Sequence, residues 1–563
     1  MTETESGAER MAKTGADGNE PLRTMPSEGN GRLRALLRGR GARWGVGAVL
    51  AVAVLVTGLG WALASPVGGS PDDDFHLGSI WCPRPIESSG CRTRVEKDEV
   101  RVQVPQRVGA GPRCYATHPD ISASCQASLS DDKQMYSRRY DDGIYPTGYY
   151  RFHHMFVSDN VGRSAIIMRG VNLLIAMGLL GGVGAAMPAR LREQYSLAMI
   201  LSWMPMGMYL VASNNPSSWA LTGVLGYAAA MYGSVRAAGR RRWVLLGLSL
   251  VGALLACSCR GDSAFCLFVV SLAVFAGIRW RRQILVQAAT ALVVSVIGVW
   301  TMQSTGQSRA AATAEFFSKL PDRTRLMTIV LTVPEYLAGF YGRRLGAGWF
   351  DVPLDGPVTI MALTLAGGGL FVGARRCDWR KAVSVGIIAG ALVFIPMVLS
   401  YRLGYENVYQ LQPRYLLPLL APFFIVWLSR RGRGVIISPA QAGLILGLSA
   451  VAHSYAFHRI LLRYTHGLHN YYGEMDVGWL PFDLDFKFEW WWNIPISPMT
   501  LWEVVTVMYA FALISALLLT RLDDDRDAEA IPAGGRHEAA APERPRISSD
   551  TMEDSKPRPR PRA

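Results

Sequence analysis

The sequence lacks the short motifs by which many proteins hold zinc or nucleotides. It has no zinc-type spacing of Cys and His, no Walker loop and no dinucleotide-binding fingerprint, so a nucleotide-driven pump is not expected. Charge is also scarce over long stretches. Half of the residues (50%) are hydrophobic, and the charged ones gather in short clusters between long uncharged runs. This layout is typical of a polytopic membrane protein.

The net charge of +14 comes mainly from arginine. In a soluble protein such a charge would suggest a nucleic-acid partner. Here the basic residues form clusters in alternate connections between apolar runs, which is the pattern of the positive-inside rule, so no nucleic-acid partner is expected. The clusters are Arg190 and Arg192; Arg236, Arg240, Arg241 and Arg242; Arg279, Arg281 and Arg282; Arg375, Arg376, Arg380 and Lys381; and Arg430, Arg431 and Arg433.

The apolar runs predict an all-α membrane domain over residues 44–520 with about twelve transmembrane helices. The polar tails, 1–43 and 521–563, are predicted to be disordered and, by the positive-inside rule, cytoplasmic at the plasma membrane. Ala62-Leu63-Ala64 would also suit a signal peptidase, but the long preceding tail favours an uncleaved anchor. The runs are 44–65, 164–187, 195–212, 217–235, 243–259, 263–278, 283–302, 356–374, 382–401, 415–429, 435–457 and 499–520.

The opposite side of the membrane is predicted to hold long loops at 66–163, 303–355 and 458–498. Met327 to Tyr341 is predicted to be an interfacial helix, because another span there would invert the charge pattern downstream. The first loop has four of the eight cysteines. They suggest two disulfides, most simply Cys82 with Cys91 and Cys114 with Cys125, although three connectivities are possible.

The most reactive stretch is Asp72-Asp73-Asp74-Phe75-His76, just after the first apolar run. Three carboxylates and an imidazole at the mouth of a membrane helix form either an acid/base or metal site or a solvated loop. Neighbouring like charges should raise the pKa of at least one carboxyl unless a cation is bound. Asp72 and Asp73 are therefore candidate ligands of a divalent cation, Mg or Mn.

Further short patterns follow in a fixed order. After the aspartate stretch come Tyr145-Pro146 with Tyr149-Tyr150, Asn215-Pro216-Ser217, Gly348-Trp349-Phe350-Asp351-Val352-Pro353 and Gln412-Pro413-Arg414-Tyr415-Leu416-Leu417-Pro418. Together they resemble the DUF2142-type family of polytopic membrane proteins common in actinobacteria, whose layout is similar to the GT-C class of membrane glycosyltransferases. The likeness spans roughly residues 45–520. The chain departs from the family at Asp73, where Glu is usual, and at Pro413, where Gly is usual.

The resemblance implies a GT-C-like enzyme that moves a sugar from a polyprenyl-phosphate donor to an envelope glycan or lipid acceptor. The implied catalytic residues are Asp72, Asp73 and His76, although a lone loop histidine is often merely solvated. Arg260 and Arg414 suit a lipid phosphate, although arginines at this height also anchor helices by snorkelling. The implied substrate-binding residues are Asp74, Tyr145, Tyr149, Asn214, Asn215, Arg260, Asp351, Arg414 and Tyr415.

Two other classes of function fit the same features. A transporter or flippase of lipid-linked sugars would place polar residues near the bilayer midplane and often shows two similar halves. Here the polar motifs lie in outer loops and no repeat is visible, which favours chemistry at the surface. A non-catalytic scaffold for envelope assembly would predict that replacing the aspartates has no effect.

Overall fold

A computed structural model describes residues 40–307, 318–374, 377–429, 436–468 and 483–529 of the chain. These residues are mostly helical, and three short strands lie in the first long loop. In chain order the helices are α1 Arg40–Leu63, α2 Asp73–Trp81, α3 Gln106–Ala110, α4 Gly148–His154, α5 Val161–Ala186, α6 Ala189–Trp203, α7 Met206–Val211, α8 Ser217–Ser234, α9 Gly239–Cys259, α10 Gly261–Ala276, α11 Leu285–Ser304, α12 Asp322–Leu331, α13 Val333–Ala338, α14 Pro357–Gly373, α15 Trp379–Arg402, α16 Leu420–Trp427, α17 Pro439–Thr465 and α18 Pro498–Glu529.

Every apolar run of the sequence contains a helix, and seven of the helices are long and apolar enough to cross a membrane. These seven are α1, α5, α9, α11, α15, α17 and α18. Shorter helices occupy the other runs. The run at 195–212 is divided between α6 and α7, with the break beside Pro205, whose ring nitrogen has no hydrogen to donate to a helix.

Helix α8 is the buried centre of the bundle. Every one of its residues is buried, as expected of a helix that is apolar on all sides. It packs closely on α9 where two glycines meet. A Cβ added at Gly252 would lie 2.5 Å from the backbone N of Tyr227 and 2.7 Å from the carbonyl O of Gly223. Small residues therefore allow the two backbones to approach each other directly.

The first loop contains an antiparallel sheet, so the expectation of an all-α chain is wrong there. Strands β1 Thr93–Glu96, β2 Glu99–Pro105 and β3 Gln134–Ser137 lie in the order β1-β2-β3. The valines of β2 explain the strand, because β-branched side chains favour extended backbone and Val102 and Val104 are fully buried. Two disulfides stabilise this loop, Cys82–Cys91 and Cys114–Cys125. The simplest pairing suggested by the sequence is thus confirmed.

Two boundaries differ from the predictions. The segment predicted as one interfacial helix is broken at Thr332 between α12 and α13, and ends in a 3-10 turn at Gly339–Tyr341. Helix α1 begins at Arg40, inside the predicted tail, and α18 runs beyond residue 520 to Glu529. Residues 1–39 and 530–563, together with the basic clusters at Arg375–Arg376 and Arg430–Arg433, lie outside the described residues.

Candidate functional site

The site begins where α1 ends. The last carbonyls of a helix have no partner within it. Arg169 of α5, which is fully buried, donates to one of them, the carbonyl oxygen of Ala62, at 2.8 Å. It also donates to the carbonyl oxygens of Ser65 at 2.6 Å and Pro66 at 2.7 Å, just beyond the helix. Arg169 was not among the residues predicted from the sequence. A lone arginine within the apolar run of α5 was a signal that could have found it.

Asp73 lies behind this arginine rather than in the open site. Its carboxylate is fully buried, and Oδ2 lies 3.7 Å from Nη2 of Arg169 and accepts the backbone N–H of Ser70 at 3.3 Å. Within the described residues, Oδ1 has no hydrogen-bond partner. Loss of hydration raises the pKa of Asp73 to about 7, because Arg169 only partly offsets it. Asp73 therefore belongs to the protein interior.

Asp72 has different surroundings. Its side chain is 37% exposed, and Oδ2 accepts Nη2 of Arg414 at 2.5 Å while Oδ1 lies 3.5 Å from Nη2 of Arg139. Burial alone would raise the pKa of Asp72, but Arg414, with a smaller effect from Arg139, lowers it overall. Its carboxylate is therefore ionised at neutral pH and within reach of a ligand.

The backbone at Asp72 is held in an unusual conformation. Its φ of 60° is left-handed, a region that residues other than glycine rarely adopt. The carbonyl of Pro71 fixes this turn, because it accepts Nδ2 of Asn215 at 2.8 Å and Nη1 of Arg414 at 3.2 Å. Asn215 and Arg414 thus determine where the Asp72 carboxylate points. Such conformations cluster at functional sites.

Arg139 comes from the first loop and is held by Asp74. The guanidinium donates to both carboxylate oxygens of Asp74, at 2.8 and 3.0 Å. Gly78 makes this approach possible, since a Cβ there would lie 2.3 Å from the carbonyl O of Arg139. Sequence reasoning did not find Arg139, because nothing in its neighbourhood forms a motif.

His76 is not the solvated loop histidine that one reading of the sequence allowed. It is 1% exposed, and its Nδ1 lies 2.9 Å from the hydroxyl of Tyr150. Burial holds its pKa well below the usual value, so the ring is neutral. Its ring meets Tyr145 edge-on at 5.6 Å.

Arg260 is a further buried arginine near His76 and Tyr145. Arg260, at the junction of α9 and α10, donates to both oxygens of Asp262 at 2.9 and 2.6 Å. Its guanidinium carbon lies 5.2 Å from the ring centre of Tyr145 and 4.8 Å from that of Tyr415. The guanidinium of Arg414 lies 5.3 Å from the same Tyr415 ring. Tyr415 therefore contacts both cations.

Eight of the predicted site residues form one cluster, the Asp72 cluster. Its members are Asp72, Asp74, His76, Tyr145, Asn215, Arg260, Arg414 and Tyr415, to which the structure adds Arg139 and Tyr150.

The other four predicted site residues lie outside this cluster, and three of them pair with other parts of the fold. Asp351 forms a buried ion pair with Arg463 at 2.7 Å, and Arg463 also donates to three carbonyls of the first loop. Tyr149 accepts Nδ2 of Asn172 at 3.1 Å. Asn214 is fully buried, with no hydrogen-bond partner for its side chain among the described residues. Asp73 is the fourth, as described above.

The donor set at Asp72 and Asp73 does not fit a divalent cation. The two carboxylates have different partners, and both oxygens of Asp72 lie beside arginines. In the described part of the chain there is no group of three or more His, Cys, Asp or Glu side chains placed to hold a metal. Around Asp72, the guanidinium groups occupy the positions that a cation would need.

A family model described as a predicted membrane protein (DUF2142) matches residues 55–422, about two thirds of the chain. The chain belongs to this family. The matched region includes the whole Asp72 cluster, from Asp72 to Tyr415, whereas Arg463 lies beyond it. Membership in the DUF2142 family confirms the resemblance to that family inferred from the sequence. No curated protein and no solved structure matches the chain.

Proposed function

We propose that this DUF2142 protein is a membrane glycosyltransferase that uses a polyprenyl-phosphate sugar as donor and an envelope glycan or lipid as acceptor. The observation that carries the proposal is the meeting of Arg139 and Arg414 on a partly exposed carboxylate, Asp72, with Arg260 beside them against Tyr415. These arginines come from three distant segments of the chain. Planar guanidinium groups match the oxygens of a phosphate, and an ionised carboxylate beside them can accept a proton.

In the proposed reaction, the acceptor hydroxyl oxygen forms a bond to the anomeric carbon of the sugar. The bond from that carbon to the phosphate oxygen breaks, and its electron pair leaves with the polyprenyl phosphate. The hydroxyl proton passes to Asp72. Arg139 and Arg414, both already beside Asp72, stabilise the negative charge on the departing phosphate. The neutral His76 and Tyr150 orient the pocket wall through their hydrogen bond.

The same proposal includes twelve membrane crossings in a GT-C-like arrangement, with the arginine-rich end in the cytoplasm. The shorter helices α6 to α8, α10, α14 and α16 would supply the crossings beyond the seven long ones. Exposed Cys377 belongs to the arginine-rich end. A membrane-impermeant maleimide should therefore label Cys377 only after the plasma membrane of the cell is permeabilised; labelling in intact cells would reverse the orientation.

The function is tested with purified protein in lipid and a panel of radiolabelled polyprenyl-phosphate sugars. Arg139→Gln removes one guanidinium from the site, whereas the neighbouring Arg138 is exposed and gives a matched control, Arg138→Gln. We expect the first change to raise KM for the donor about tenfold or more, since a charged hydrogen bond is lost, and the second to change it little.

Two outcomes would count against the proposal. If no donor is transferred or hydrolysed, although the protein still binds donors, a flippase of lipid-linked sugars becomes the better explanation. If the protein neither binds nor turns over any donor, the scaffold is favoured.

A further inference from the structure

A large cavity lies at the end of the molecule where the arginine clusters meet, and the proposed transfer reaction does not use it. Its volume is about 1170 Å³. Residues from four of the five arginine clusters line it, although they are far apart in the sequence. The guanidinium groups are those of Arg190, Arg236, Arg242, Arg279, Arg281 and Arg380.

Positive charge in this cavity is largely uncompensated. Lys381 also lines it, and among the described residues the only acidic side chain in the lining is Asp378. None of the seven basic side chains has a carboxylate within 4.0 Å in the described ranges. Four of them donate to backbone carbonyls instead, namely Arg190, Arg236, Arg242 and Lys381. Lys381, only 8% exposed, donates to the carbonyls of Gly373 at 2.7 Å and Ser429 at 3.3 Å.

This arrangement differs from that of arginines that only set membrane orientation. Such arginines need only reach water, where charge is well solvated. Here Arg236 and Arg242 are half-buried and line the same cavity as Arg279 and Arg281, which are exposed at its rim. Bringing like charges together in a partly dehydrated cavity costs free energy unless an anion enters.

Three exposed tryptophans indicate the level of the cavity relative to the lipid headgroups. Trp243 is 55% exposed, Trp280 is 62% exposed and Trp379 is 68% exposed, and each adjoins a lining arginine in the sequence. Exposed tryptophan is enriched at the level of the lipid headgroups. The cavity therefore lies at the height at which a lipid presents its phosphate.

We propose that this basic cavity binds the phosphate of an anionic phospholipid headgroup. The volume exceeds what a single phosphate group needs and suits a larger headgroup with its bound water. Basic pockets between transmembrane helices are suited to such headgroups, because each cation adds to the attraction. The site is separate from the Asp72 cluster and does not depend on the proposed transfer reaction.

Two double variants test the proposal in the full-length protein. Arg279→Gln with Arg281→Gln removes two charges from the cavity lining. Arg240→Gln with Arg241→Gln removes two exposed charges from the same end of the molecule, outside the lining. In the described residues, none of these four side chains has a hydrogen bond or ion pair, so neither double variant removes a contact of the fold.

Binding to the detergent-purified protein is measured by native mass spectrometry. The probes are phosphatidylglycerol, phosphatidylcholine and, as a soluble source of phosphate, inorganic pyrophosphate. We expect the wild type to retain phosphatidylglycerol in preference to phosphatidylcholine. The lining variant should bind it about tenfold more weakly, and the control variant should equal the wild type. Donor turnover should be unchanged in both variants.

Three results would overturn the proposal. Equal losses in the two double variants would mean that general surface charge attracts the lipid. Saturable binding of pyrophosphate without preference for phosphatidylglycerol would mean that a soluble phosphate compound is the ligand. If neither phosphatidylglycerol nor pyrophosphate binds, the cavity does not take a phosphate ligand.

Discussion

Asp72 and Asp73 are adjacent carboxylates whose neighbours give them different chemistry. Asp72 contacts Arg414 and Arg139 and is partly exposed, whereas Asp73 is sealed beside Arg169. The sequence predicts that charges this close should perturb at least one pKa, and the raised pKa of Asp73 agrees with that prediction. The cause is different, because burial rather than repulsion is the largest effect. Burial here depends on α5, which no local pattern at residue 73 could indicate.

The buried Asp73 should make stability depend on pH. Folding raises its pKa from 3.8 to about 7, so its stabilising contribution is complete below pH 3.8 and is lost as pH rises through about 7. Asp73→Asn removes this titration. Between about pH 5 and pH 8 we expect the wild type to lose about 2 kcal/mol more unfolding free energy than the variant does.

Thermal unfolding in detergent at the two pH values measures this difference. Asp142→Asn is a suitable control, because Asp142 is exposed in the same loop. Parallel pH dependence of the wild type and Asp73→Asn would show that Asp73 titrates at an ordinary pKa and that its burial has little effect.

At the scale of elements, apolar runs predicted the helices well because the bilayer requires long uncharged segments. They predicted the packing of those helices poorly. The sheet of the first loop was not predicted, because short valine-rich stretches like its central strand also occur in loops without strands. The glycine contact between α8 and α9 was missed as well, because both helices contain several glycines and only the structure shows which of them meet.

The meeting of α8 and α9 gives a prediction with an internal control. Gly252→Leu should force the helices apart, because even a Cβ at this position would lie 2.5 Å from the backbone N of Tyr227. Overpacking of this kind typically costs about 1–3 kcal/mol, and contact with backbone places Gly252→Leu at or above the upper end. Gly247 in the same helix has open space around it, so Gly247→Leu should change stability by less than about 0.5 kcal/mol.

Melting temperatures of the two variants in one detergent decide the matter. A large loss for Gly252→Leu alone is the expected result. Equal melting temperatures would mean that α8 and α9 do not approach each other at Gly252 as the structure has them.

At the scale of the whole molecule, the Asp72 cluster is assembled from five distant segments, around residues 72, 139–150, 215, 260 and 414. The sequence indicated Asp72, Arg260 and Arg414 because motifs and membrane boundaries mark them. It could not indicate Arg139, which reaches the site only because the first loop folds back onto Gly78. The sequence could not indicate the partner of Asp351 for a similar reason. Its motif is prominent, but its partner Arg463 comes from a different helix, α17.

The measurement that tests the account most directly is donor turnover by Asp72→Asn beside Asp142→Asn. Asn keeps the shape of the side chain but cannot accept the proton. We expect Asp72→Asn to bind the polyprenyl-phosphate sugar with similar affinity and to transfer it at least about a hundredfold more slowly, while Asp142→Asn matches the wild type. Wild-type turnover in a folded Asp72→Asn protein would contradict the proposed role of Asp72.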